Sequence, residues 1–138
     1  MSVNKNQLIK YVIIPTLKEI PKGYSKDALR AILMIFAHES KGCKHIKQIG
    51  GGPALGAAQI EPDSHDDVWR EGGSIWVNAL SMGLVNENNL NRFMFERSNR
   101  KNKSVPDYNE IVKKLHPSAD RLMYDMRYVV FVTRQKLF

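Results

Sequence analysis

Glu39 and Gln59 are the residues whose types and placement point most directly to chemistry. Glu39 comes at the end of the stretch Ala28 to Ser40, in which Leu29, Ile32, Leu33 and Phe36 recur at helical spacing. It lies three residues beyond Phe36 and seven beyond Ile32. Its carboxyl group is therefore expected along the buried face, where desolvation favours the uncharged acid. A carboxyl kept protonated in this way is a general acid. Gln59 follows a glycine-rich loop, in the string Gly51-Gly52-Pro53-Ala54-Leu55-Gly56-Ala57-Ala58-Gln59-Ile60-Glu61-Pro62. Small residues there let a backbone come close to a ligand.

Other reactive side chains point less clearly to a site. His38-Glu39 begins like a zinc-protease helix, but the position four residues after His38 is Gly42 rather than histidine. His45, His65 and His116 have no ligand spacing that suggests one site, so neither a metal nor a cofactor is expected. Gly50-Gly51-Gly52 lacks the lysine and the helix pattern of a phosphate-binding loop. Glu61, Asp63, Asp66 and Asp67 read as helix-capping and solvated groups rather than a second catalytic carboxylate. Trp69 and Trp76 read as core residues, not sugar-stacking platforms, and Cys43 as structural or incidental.

The elements that must position these groups are helical. Leu8, Ile9, Val12, Ile13, Leu17 and Ile20 trace one face of a first helix, which Pro15 should kink or divide and Pro21-Lys22-Gly23 should end. Ser25 is the expected N-cap of the helix that carries Glu39. Residues 54–60 read as an extended strand or a tight helical turn. Asp63 or Ser64 should cap a short helix containing Val68 and Trp69. Helices are expected over 74–84, 88–97 and 108–115, with a polar loop over 98–107. A long final helix over 118–137 carries Leu122, Met126, Val129, Val130, Thr133 and Leu137 on one side.

The 138 residues are long enough for one domain with one sizeable core, over residues 1–138. A composition of 43% hydrophobic and 25% charged residues excludes a disordered chain. The formal charge of +7 favours an anionic partner, though the basic run Arg97 to Lys103 reads as a solvated loop. A single cysteine excludes an internal disulfide framework. The apolar run Tyr11-Val12-Ile13-Ile14 is too short, and too soon interrupted by Pro15, for a signal peptide or a membrane span. The expectation is synthesis in the cytoplasm without a signal peptide, and no stable membrane insertion.

Glu39-Ser40 at a helix end, with Gly56-Ala57-Ala58-Gln59-Ile60 after the glycine-rich loop, resembles the lysozyme-like superfamily. The likeness is to its lytic transglycosylase and goose-type lysozyme branch, and in particular to cell-wall-degrading domains of tailed bacteriophages. It covers about residues 36–69, including Ser64-His65-Asp66-Asp67-Val68-Trp69. The resemblance implies a mostly α, lysozyme-like helical domain with a short extended segment or small hairpin at the cleft. It implies Glu39 as the acid that protonates the bond between N-acetylmuramic acid and N-acetylglucosamine in peptidoglycan glycan strands. Ser40 would help orient Glu39 or the substrate. Gln59 and the backbone around Gly56 and Ala58 would contact the sugar N-acetyl group. Action would be at the cell wall, reached through a holin-like pore, or within a virion.

The sequence also departs from that family. Ala57-Ala58 stand where Leu-Met is usual, and the family's late Tyr-Asn motif has no clear counterpart. Tyr108-Asn109 comes before the last helix, so either the motif is absent, or Tyr124 or Tyr128 substitutes for it, or the polypeptide is a shortened form. The reaction stays open between hydrolysis and anhydro-forming lysis. The alternative function is a lysozyme-like domain without turnover that binds glycan or serves as a virion structural protein. A small basic nucleic-acid-binding module is disfavoured, because no reading helix or aromatic platform is recognisable.

Overall fold

The computed structural model describes residues 4–40, 54–100 and 105–137, and is mostly helical. Cys43, His45 and the glycines at 42 and 50–52 lie outside the described residues, as does part of the basic run from Arg97 to Lys103.

Asn4 caps α1 (Lys5–Leu8) by accepting the Gln7 backbone N–H at 3.1 Å. A π-helical segment, Ile9–Ile13, then leads into α2 (Ile14–Glu19). Pro15 explains it: a proline ring inside a helix meets the carbonyl four residues back, and the wider i→i+5 ladder relieves that crowding. The helical run therefore continues past Pro15 and still buries Leu8, Ile13, Leu17 and Ile20, all from the expected face.

Ser25 Oγ accepts the Ala28 N–H at 2.9 Å and caps α3 (Lys26–Ser40) as its residue type predicts. The next described segment is a minimal hairpin. Leu55 and Ile60 exchange backbone hydrogen bonds of 2.9 and 3.0 Å around the turn Gly56 to Gln59.

α4 (Pro62–Glu71) begins one or two residues before the expected cap at Asp63 or Ser64. Pro62 supplies a preset φ at a position where its missing N–H is no loss. α5 (Gly73–Ser81) and α6 (Glu87–Ser98) follow close to their expected bounds. α7 (Val105–Lys113) starts earlier than expected, inside the stretch read as loop. Pro106 falls in its first turn, where a proline is tolerated.

The expected long helix over 118–137 is broken. Ser118 caps a 3₁₀ turn, Ala119–Met123, and Asp125 opens α8 (Met126–Leu137). Asp125 Oδ1 accepts the Tyr128 N–H at 3.0 Å. A short acidic side chain that satisfies a helix's first donors is a start signal and ends whatever precedes it.

α8 is the centre of the fold. Tyr128, Val129, Val130, Phe131, Val132 and Thr133 are all buried, so the helix is covered all round rather than along one stripe. α2, α3, α4 and the π segment pack against it. Each of its large apolar side chains contributes on the order of 1.5–3 kcal/mol on burial, as an upper estimate. Among the described residues no helix is long and apolar enough to cross a membrane.

Candidate functional site

The residues picked out by sequence belong to two segments, the end of α3 and the hairpin turn. Glu39 is on the last turn of α3 and is exposed, as are Ala37 and His38. This corrects the expectation of a buried carboxyl. The apolar stripe is covered at Ile32 and Phe36, but this burial does not extend to the last turn, where residues 37–39 are exposed. Ser40 ends the same helix, and its side chain lies outside the described set.

Gly56, Ala58 and Gln59 share the hairpin turn. Gly56 has φ +75° and Gln59 φ +49°, so the turn uses the left-handed region twice. Gln59 closes it with its own side chain, Nε2 donating to the Gly56 carbonyl at 2.9 Å. Gly56, Ala57 and Ala58 are buried, leaving Gln59 the one partly exposed residue of the turn. The close approach that needs glycine at 56 is internal. A Cβ there would lie 2.3 Å from the Leu122 carbonyl oxygen.

A second constellation, which sequence spacing did not reveal, lies between α4, α8 and the turn after α7. His65 is fully buried, with Nε2 2.6 Å from the Tyr128 hydroxyl and Nδ1 2.8 Å from Asp66 Oδ1. Trp69 Nε1 donates to the same tyrosine oxygen at 3.0 Å. His116 packs edge-on to His65, ring centroids 5.5 Å apart, and stacks on Trp69 at 5.6 Å. Asp66 Oδ1 lies 3.8 Å from His116 Nε2.

Proton positions follow from this arrangement. The Asp66 carboxylate only accepts, so His65 carries its proton on Nδ1. Nε2 is then an acceptor, and the Tyr128 hydroxyl donates to it. His116 Nδ1 faces the Pro117 carbonyl at 2.7 Å, which places its proton there. Burial lowers both imidazole pKa values. The bond to Asp66 opposes the shift at His65 and the Pro117 carbonyl opposes it at His116, without reversing either. Both rings are therefore neutral near pH 7. Burial likewise raises the Tyr128 pKa, so its hydroxyl keeps its proton.

The tyrosines considered for the late family motif have different surroundings. Tyr108 is buried and its hydroxyl donates to the Arg70 carbonyl at 2.9 Å. Tyr124 is 78% exposed, and Tyr128 is held by His65 and Trp69. Trp69 and Trp76 are core residues, as expected, meeting edge-to-face at 5.0 Å.

One signal for the second constellation was present in the sequence. His65 and Trp69 are four residues apart on one helix face, a spacing that lets both reach one partner. Nothing local announced His116. No family model matches this chain, and comparison with curated proteins and with solved structures likewise found no match.

Proposed function

We propose that this chain is a peptidoglycan-degrading glycosidase of lysozyme-like fold, with Glu39 as its general acid. The observation that carries the reading is an exposed carboxyl on the final turn of α3, followed about twenty residues later by a tight turn whose accessible member is Gln59. An exposed Glu39 can reach a polymer too large to enter the protein. Desolvation of the acid would then come from the bound glycan.

Glu39 would protonate the glycosidic oxygen as the bond to the anomeric carbon breaks, through an oxocarbenium-like state. In the lytic variant the muramic acid 6-hydroxyl closes onto that carbon and returns its proton to the Glu39 carboxylate, leaving a 1,6-anhydro end. In the hydrolytic variant water does the same and leaves a reducing end. Ser40 would orient Glu39 or the sugar, and Gln59 would meet the N-acetyl group. The net charge of +7 suits an anionic wall. A bacteriophage setting, virion-borne or holin-dependent, belongs to the same reading.

The Ala57-Ala58 pair and the lack of a clear late Tyr-Asn motif favour a second reading, a lysozyme-like domain that binds glycan or serves in a virion without turnover. Release of soluble muropeptides from purified peptidoglycan, with mass analysis of their ends, separates the two. Release by the wild type that is lost in Glu39→Gln supports the glycosidase. Equal release by both removes Glu39 from the chemistry, and glycan binding without release supports the non-catalytic domain.

A further inference from the structure

We propose that His65, Asp66 and His116 form a binding site for one divalent transition-metal ion of the zinc type. One donor atom from each of these residues lies within 4.8 Å of the other two. His116 is 7% exposed, and among the described residues its Nε2 is a buried polar atom with no hydrogen-bond partner. With its proton on Nδ1, that nitrogen presents a lone pair 3.8 Å from the Asp66 carboxylate oxygen. Two electron-rich atoms at that separation repel each other. A cation between them removes the repulsion and partners the orphaned nitrogen.

The surroundings match what such an ion requires. Metal-bound nitrogen and oxygen sit about 2.0–2.2 Å from zinc, so tetrahedral neighbours are about 3.4 Å apart. The Asp66 oxygen is 2.8 Å from His65 Nδ1 and 3.8 Å from His116 Nε2, which brackets that spacing. Two imidazoles and one carboxylate are a donor set that suits zinc and its first-row neighbours rather than magnesium or calcium. The outer partner of His116 is also in place, since the Pro117 carbonyl holds its Nδ1–H and so fixes the tautomer in which Nε2 can ligate.

Coordination through His65 Nδ1 moves its proton to Nε2, and the Tyr128 hydroxyl, which donates to that nitrogen without the ion, turns its own proton away and accepts instead, so the proton count does not change. Asp66 and His116 also line a cavity of about 300 Å³ bordered by Lys113 and Asp120. The ion would tie α4 to the turn after α7. This inference stands independently of the role proposed for Glu39.

The test uses the full chain, stripped with chelator and titrated with zinc chloride alone against a chromophoric competitor. Wild type is expected to take up one equivalent. His116→Gln and Asp66→Asn should each weaken it by at least about tenfold, since even outer partners of metal sites are worth that much. Circular dichroism of the metal-free proteins checks that the variants are folded. Should either variant fail to fold, the cobalt form of the wild type reads the ligands directly. Visible bands of a nitrogen and oxygen site, without thiolate charge transfer, are expected and should persist in Cys43→Ser. Absence of stoichiometric binding by wild type overturns the proposal. So does binding undiminished in both folded variants, or a cobalt spectrum dominated by thiolate.

Discussion

The Tyr128 hydroxyl lies 2.6 Å from His65 Nε2, joining the central helix α8 to α4 across 63 positions of sequence. The same oxygen accepts Trp69 Nε1 at 3.0 Å, so one hydroxyl satisfies two buried groups. Tyr128→Phe should therefore leave two polar groups unpaired in the core and lower stability by about 2–4 kcal/mol. Tyr108→Phe, which removes a single bond to the Arg70 carbonyl, should lose about 1 kcal/mol. Urea denaturation of both variants tests the contrast, and equal losses would deny the shared hydroxyl its role.

Glu39→Gln separates stability from activity. An exposed side chain at a helix end contributes little to folding, so unfolding free energy should stay within about 0.5 kcal/mol of wild type. Muropeptide release should fall by at least about 100-fold, the lower end of what a general acid supplies. A large stability loss would mean that the carboxyl is structural.

Gly56 and Gly83 both have positive φ, at +75° and +73°. A Cβ at Gly56 meets the Leu122 carbonyl oxygen at 2.3 Å, whereas one at Gly83 meets nothing within 4 Å. Gly83→Ala should cost about 1 kcal/mol, from backbone strain alone. Gly56→Ala should cost about 3 kcal/mol, because the hairpin must also move off Leu122. Thermal unfolding of the pair decides between them, and matching melting temperatures would contradict the packing argument.

Asp125 should contribute a pH-dependent part of the stability. Partial burial raises its pKa, but the hydrogen bonds from Arg121 and from the Tyr128 backbone, with the charges of Arg121 and Arg127, bring it below the ordinary 3.8. The unfolded chain therefore binds the proton more readily. The contribution is present above the unfolded value and is lost as pH falls through the folded one. Asp125→Asn keeps an oxygen for the cap but loses the charge that Arg121 holds at 2.8 Å. The stability gap between wild type and Asp125→Asn should be constant near neutral pH and shrink below about pH 4. A gap that persists to pH 2 would remove the charge from the account.

Local chemistry was legible at the first helices. The cap at Ser25, the end of the first helical run at Pro21 to Gly23 and the apolar face from Leu8 to Ile20 all follow from side chains that satisfy or block adjacent backbone groups. The break before α8 was missed for a local reason. Asp125 sits inside an apolar pattern whose period continues through it, so periodicity outweighed the cap.

By itself the sequence determined a basic, mostly helical chain, the helix that ends in Glu39 and Ser40, and the small residues of the 54–60 turn. Tertiary structure alone decided that Glu39 is exposed, that Gly56 approaches Leu122 and that His116 meets Asp66 and Trp69. The reason is range. Capping and periodicity act within one or two helical turns and leave a pattern in sequence. Which side chain lies over which is settled by how α4, α7 and α8 pack, and helical spacing on one element carries no information about the residue that reaches it from another.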